Sequence, residues 1–321
     1  MISRRLLRTK ALIVLYAYDR RGTGELPVAE KELIRATEKA YDLYLYLLAL
    51  YIELADLSLA RMEIAMNKRM PTDEDLNPRR RFVDNPYITY LRESPEFNTA
   101  LVDHKISWSG NSEIIRLIYN EIADWTVFDD YLNGDCADTP GDRKLLYQLL
   151  TRKILSSDNL ISHLEDSSIY WNDDLDFAAL MIGKTLRRIK LHDYDGELPL
   201  PLFRDDDDRE FVKELLRNAI LKSKFLRDLI ERSTTNWEIE RIALMDILVM
   251  QLALTEIIVF PEIPVKVTLN EYIEVSKYYC TPKSSTFING ILDKIVKEMR
   301  QEELFVKSGR GLVGEGTGPA Q

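Results

Sequence analysis

The fold is written most plainly in residues 263–277, IPVKVTLNEYIEVSK, and residues 285–294, STFINGILDK. Pro261 and Pro264 bracket a short connection into a helix that carries the first stretch. In the second, Asn289-Gly290 would by itself suggest a hairpin turn. Phe287, Ile291, Leu292 and Ile295 keep helical spacing across that pair. A last helix is therefore expected from Pro282 and Ser284 to about Glu303, with Gly290 as a close-packing site inside it.

Upstream, Thr235-x-x-Glu238 reads as a capping box opening a strongly apolar helix through about Ile258. The acidic run Asp205 to Asp208 precedes Phe211, Leu215, Leu216 and Ala219, which puts carboxylates at the favourable end of a helix dipole. Four adjacent Asp without a recurring ligand spacing read as caps before they read as a metal site. At the other end of the chain Ser3 is a plausible N-cap. Leu7, Ala11, Val14, Leu15 and Tyr18 then form the stripe of an amphipathic helix ending near Gly22. Arg4 and Arg8 share a face beside that stripe.

Between these ends, a long stretch from the Gly22–Pro27 break to about Arg69 is rich in Leu, Ala and Tyr and predicts a buried helix. Pro71, Pro78, Pro86, Pro95 and Gly110 punctuate residues 70–112 into short helical pieces, where a subdomain junction could lie. Helical patterns return at about Ser112–Leu132, Asp142–Leu155 and Asp173–Lys190. Gly134 to Gly141 and the polar run near Ser156 to Ser168 separate them, and Asp195 to Pro201 makes a loop. From Ser308 onward five Gly in fourteen residues predict a disordered tail. With 13 Gly and 12 Pro in 321 residues, 45% apolar and 30% charged, the chain is expected to be all-α.

Several function classes lack support. Cys136 and Cys280, far apart, cannot build a disulfide framework or a four-thiolate zinc site, and they suit a reducing, cytoplasmic compartment. The longest uncharged apolar run, Leu43 to Ile52, is too short to span a bilayer, so no membrane segment is expected. His104, His163 and His192 sit in separate polar contexts without metal-ligand spacing and read as surface or loop residues. No Gly-rich phosphate loop or nucleophile elbow occurs, so no cofactor and no enzyme activity is expected. A net charge of −10 argues against a general nucleic-acid binder, yet residues 1–21 are locally +5 and the remainder −15. Any RNA contact must be local. From charge alone, Arg4, Arg5 and Arg8 favour a solvated basic face, and Tyr16 and Tyr18 at helical spacing are more often core than stacking platforms.

Residues 263–277 and 285–294 closely resemble the C-terminal signature of the NusB family of transcription antitermination factors. There a Pro-x-Lys-Val, an Asn-Glu and a Phe-x-Asn-Gly-x-Leu-Asp-Lys occur in this order. Trp237, Arg241 and Asp246 through Glu256 look like the preceding family helix, and Phe211 to Leu229 like the one before. Ser3 to Tyr16 resembles the family's arginine-rich first helix.

The resemblance implies a NusB-like helical bundle with an additional inserted helical region. Residues 1–21 would be its first helix, 22–200 an insertion or enlarged N-terminal subdomain, 201–303 the C-terminal subdomain and 304–321 the tail. It further implies binding of boxA RNA in ribosomal RNA transcripts together with NusE, a small-subunit ribosomal protein, within the RNA polymerase antitermination complex. RNA contact is carried over to Arg4, Arg5, Arg8, Tyr16, Lys283 and Phe287, although Lys283 departs from the acidic residue expected there. Asp246 matches a position on the helix that faces NusE. Asn270, Glu271, Asn289 and Asp293 are expected to tie helices together. Two alternatives stand beside this. One is an RNA-modifying enzyme, which would need a downstream catalytic domain; the other is a helical interaction scaffold that has lost RNA binding.

Overall fold

The computed structural model describes residues 3–22, 24–134, 139–191, 198–234 and 242–313. Among the described residues every regular element is helical. In chain order they are α1 (Arg4–Arg21), α2 (Leu26–Met66), α3 (Asp73–Leu76), α4 (Pro86–Glu93), α5 (Pro95–Asp103), α6 (Ser112–Ala123), α7 (Thr126–Asn133) and α8 (Thr139–Arg152). Then follow α9 (Asp158–Ser167), α10 (Leu175–Arg188), α11 (Asp206–Leu221), α12 (Ser223–Ser233), α13 (Leu244–Val259), α14 (Val265–Tyr279) and α15 (Ser284–Gln301). The chain divides into two compact units, residues 38–202 and residues 2–37 with 203–321. The first of these, the inserted unit, begins within α2 at Glu38. It holds 18 Lys and Arg against 29 Asp and Glu, a net −11, which leaves the other unit at +1.

In that near-neutral unit α13 is the core. Asp246 to Ile257 are buried without interruption, as expected of a helix that is apolar on all sides. It packs on α1, α11, α12, α14 and α15. Ser3 caps α1 by accepting the Leu6 N–H, and Gly22, at φ 68°, closes it in the left-handed conformation that favours glycine. The stretch Phe211 to Leu229 is two helices, not one. The break at Lys222 lets both Leu215 and Leu216 of α11 and Leu229 and Ile230 of α12 reach the core beside α13. The capping box at 235–238 lies outside the described residues, and α13 starts at Leu244.

Gly290 does lie inside α15, but a Cβ there would meet nothing within 4 Å, so it is not a packing contact. The C-terminal stretch also differs from expectation. Residues 304–313 fold back on the unit: Lys307 Nζ donates to the carbonyls of Ile257 and Phe260, both at 2.9 Å, and Ser308 N–H donates to that of Pro261. A Cβ on Gly311 would overlap the Pro261 carbonyl oxygen. Composition alone missed this because the strap is held by α13's free C-terminal carbonyls rather than by its own apolar content.

In the inserted unit, residues 43–51 of α2 are buried throughout. By length and composition α2 could cross a membrane, which counting the uncharged run alone did not show; 67% of its apolar window is buried inside the protein, as in a core helix. The Ser112–Leu132 pattern breaks into α6 and α7, because Trp125 is extended and redirects Phe128 and Tyr131 into the core. The polar run at 156–168 is helical instead of a loop. Ser157 caps α9, and Leu160 and Leu164, four apart, bury its narrow apolar face. His163 and His104 are not loose surface residues. His163 Nε2 is 2.7 Å from the Tyr46 hydroxyl amid Trp108 and Trp171, and His104 Nδ1 is 2.7 Å from Asp42 Oδ1. Cys136 and His192 lie outside the described residues.

Candidate nucleic-acid interface

The first two turns of α1 carry three arginines, each met by a carboxylate from a different helix. Arg4 Nε donates to Asp208 Oδ1 at 2.8 Å, and its guanidinium lies 4.8 Å from the centre of the Phe211 ring on α11. Arg5 donates twice to Glu271 of α14, at 2.9 Å each. Arg8 donates twice to Glu256 of α13, at 2.7 and 2.8 Å, with a second carboxylate, Glu271, 3.6 Å from its Nη1. Planar two-point pairing of this kind fixes both orientation and distance.

Exposure separates the three. The side chain of Arg4 is 35% exposed and that of Arg5 51%, whereas Arg8 is 4% exposed and Glu256 not at all. Burial opposes the charge on Arg8, but the Glu256 hydrogen bonds and charge outweigh it and raise its pKa. Thr268 Oγ1 donates to the same carboxylate at 2.8 Å and the Tyr272 hydroxyl at 3.3 Å. Burial and the neighbouring carboxylate push the Tyr272 hydroxyl well above its usual range, so it stays a donor. Arg8 is therefore a structural cation clamped into the core. Its expected contact with RNA is corrected: no face of its guanidinium is open to a phosphate.

At the rim the pattern is different. The Arg5 hydrogen bonds hold the Glu271 carboxyl below its usual range, although partial burial opposes them, and the same pair raises Arg5. Each rim guanidinium keeps part of its five-donor fork towards solvent. Further along α1, Tyr16 is 38% exposed.

Lys283 is exposed in the turn before α15, and Phe287, in the first turn of that helix, is half-buried. That helix packs on α12, α13 and α14, and α1 packs on α11, α13 and α14. The two sets of residues thus stand on different helices that share neighbours.

Asp246 is not presented to a partner. It is 6% exposed, and its Oδ2 accepts the Ser284 hydroxyl at 2.8 Å, tying the start of α13 to the start of α15. The Cys280 thiol is pushed up by burial and then by this carboxylate. The expected surface role gives way to one of holding the turn that bears Lys283. Of the four residues expected to tie helices, Glu271 does so through Arg5; Asn270 and Asp293 are exposed and Asn289 is half-buried.

Sequence reasoning placed Glu271 as a tie between helices and Asp208 in a capping run, but it did not pair these acids, or Glu256, with the arginines. Glu256 had a signal: it is the one charged residue from Ile247 to Phe260, a largely apolar run whose other polar residues are Gln251 and Thr255, and a charge so placed must be paired.

Comparison with known proteins follows this geometry. Residues 201–297 match the NusB family. The transcription antitermination protein NusB of Salinibacter ruber is 38% identical over 146 residues, 44% of this chain and 91% of that protein. The protein of the same name from Chloroherpeton thalassium is 36% identical over 118 residues, 37% of this chain and 56% of its own length. That of Alkaliphilus oremlandii is 33% identical over 113 residues, 35% of this chain and 78% of its own. No solved structure matches the chain. A helical unit built around these arginines, and relatives matched over most of their own length, place this chain in the NusB family.

Proposed function

We propose that this protein is a cytoplasmic, non-enzymatic transcription antitermination factor. With NusE it binds boxA RNA of ribosomal RNA transcripts and, in the RNA polymerase antitermination complex, suppresses termination. The observation that carries this reading is the pair of rim arginines, Arg4 and Arg5, pre-oriented by Asp208 and Glu271 with donors left facing solvent. Cations so placed fix the backbone of a single strand, while rings such as Tyr16 and Phe287 take unstacked bases. Lys283 adds a third phosphate contact, and Asp246 acts by holding its turn. Three contacts give a salt dependence of about −2 on a log–log plot for a single strand.

The test is fluorescence anisotropy of the full chain with NusE at physiological salt, against labelled boxA RNA and a scrambled RNA of equal length. We expect at least a tenfold preference for boxA; equal affinities would refute the proposal. The net −11 of the inserted unit favours a second reading, a protein-interaction scaffold without RNA binding. It predicts undiminished function in the Arg4→Ala/Arg5→Ala variant, where the RNA reading predicts loss.

A further inference from the structure

A cleft of about 200 Å3 lies between α14 and the C-terminal half of α15, with Val313 of the strap at its edge. Its floor is aliphatic, from Val265, Leu269 and Val296, and its rim holds Lys266, Lys297 and Arg300 against the single carboxylate of Asp293. All four charged residues are exposed. Lys266 and Asp293 belong to the two stretches that mark the family, yet neither is needed in the core.

The rim sets three cations against one lining carboxylate, in a unit whose net charge is only +1. The cleft also lies along α15, the helix that follows Lys283. From Lys283 to Lys297 is 14 residues, roughly 21 Å of helix axis. The exposed residues between include Gly290, where no side chain keeps a ligand from the helix surface.

We infer that this cleft is a second RNA-backbone site, in which Lys266, Lys297 and Arg300 hold phosphates of the single strand that flanks boxA as it runs along α15. The inference rests on the RNA-binding reading above. With no aromatic ring in its lining, the cleft binds backbone without reading bases, so the flank contributes affinity independent of its sequence. Asp293 keeps the rim from holding any small anion tightly and favours a polyanion that meets all three cations at once.

The experiment uses the full chain with NusE and four labelled RNAs: boxA alone, boxA extended on its 5′ side, boxA extended on its 3′ side, each by a flank of arbitrary sequence, and a scrambled RNA. The variant is Lys266→Gln/Lys297→Gln, both exposed, with Arg300 left in place. Wild type should bind one extended RNA more tightly than boxA alone. The variant should match wild type on boxA alone, lose about tenfold on the extended RNA, and show a salt slope shallower by about 1.4, from two contacts at about 0.7 each. If neither extension tightens binding, or the variant keeps the full gain, the cleft is not an RNA site although the boxA reading stands. If boxA alone is not preferred over scrambled RNA, the underlying reading fails and the inference with it. An acidic peptide of equal length that displaces the flank from wild type but not from the variant, with no gain from RNA extension, would assign the cleft to a protein partner instead.

Discussion

Replacing Arg8 by Met removes a cation from the interior without emptying its volume, and the consequence follows from what stays behind. Glu256, fully buried, keeps the hydroxyls of Thr268 and Tyr272 but loses the charge that pays for its desolvation. Removing one partner of a buried pair costs about 3–5 kcal/mol. At 1.36 kcal/mol per decade this lowers hydrogen-exchange protection in α1, α13 and α14 roughly 150- to 5,000-fold. Amide exchange resolved by peptide is the suitable assay, because three of the four Trp, Trp108, Trp125 and Trp171, lie in the other unit against Trp237 in this one, and whole-chain fluorescence would mix the two. The Arg8→Met/Glu256→Gln double variant should regain most of the loss, since the amide still accepts the two hydroxyls and no charge is left unpaired. Arg5→Ala, at a half-exposed pair, should change stability by less than about 1 kcal/mol while weakening RNA binding. The reasoning is refuted if Arg8→Met leaves protection within about tenfold of wild type yet weakens RNA binding as Arg5→Ala does. Arg8 would then act on RNA and not on the core.

Two further outcomes are expected. Gly290→Ala should stabilise the family unit by about 0.5–1 kcal/mol, because the helix gains a better former and the methyl meets open space; a lower urea midpoint by circular dichroism would contradict the geometry. His163 has its pKa lowered by burial, with Asp166 opposing, so its neutral form is the one the folded state favours. The inserted unit should therefore hold its stability above the unfolded-state value near 6.5 and lose part of it as pH falls through that value towards the folded one. Tryptophan-fluorescence urea midpoints at pH 7.5 and 5.5 measure this, and a His163→Gln variant whose midpoint falls by as much as wild type would remove His163 as the cause.

Local patterns carried most of the secondary structure. Ser3 and Gly22 delimit α1 by backbone chemistry that needs nothing else in the molecule, and the apolar density of α2 and α13 foretold buried helices. The chain's NusB character was likewise legible in residues 263–277 and 285–294. What failed were elements whose identity depends on distant partners. The strap at 304–313 is ordered by the open carbonyls of α13, about fifty residues away, and α9 is folded by Leu160 and Leu164, the two residues it buries, in a mostly polar run.

The candidate site shows the same division most sharply. Sequence by itself determined that Arg4, Arg5 and Arg8 lie within the first two turns of one helix. Only the tertiary structure decided that Arg4 and Arg5 remain at the rim while Arg8 is sealed against Glu256. The reason is that helical periodicity sets the angle of a side chain about its own axis, whereas exposure is set by which helices cover that angle. In this chain those helices, α13 and α14, are encoded some 240 residues away.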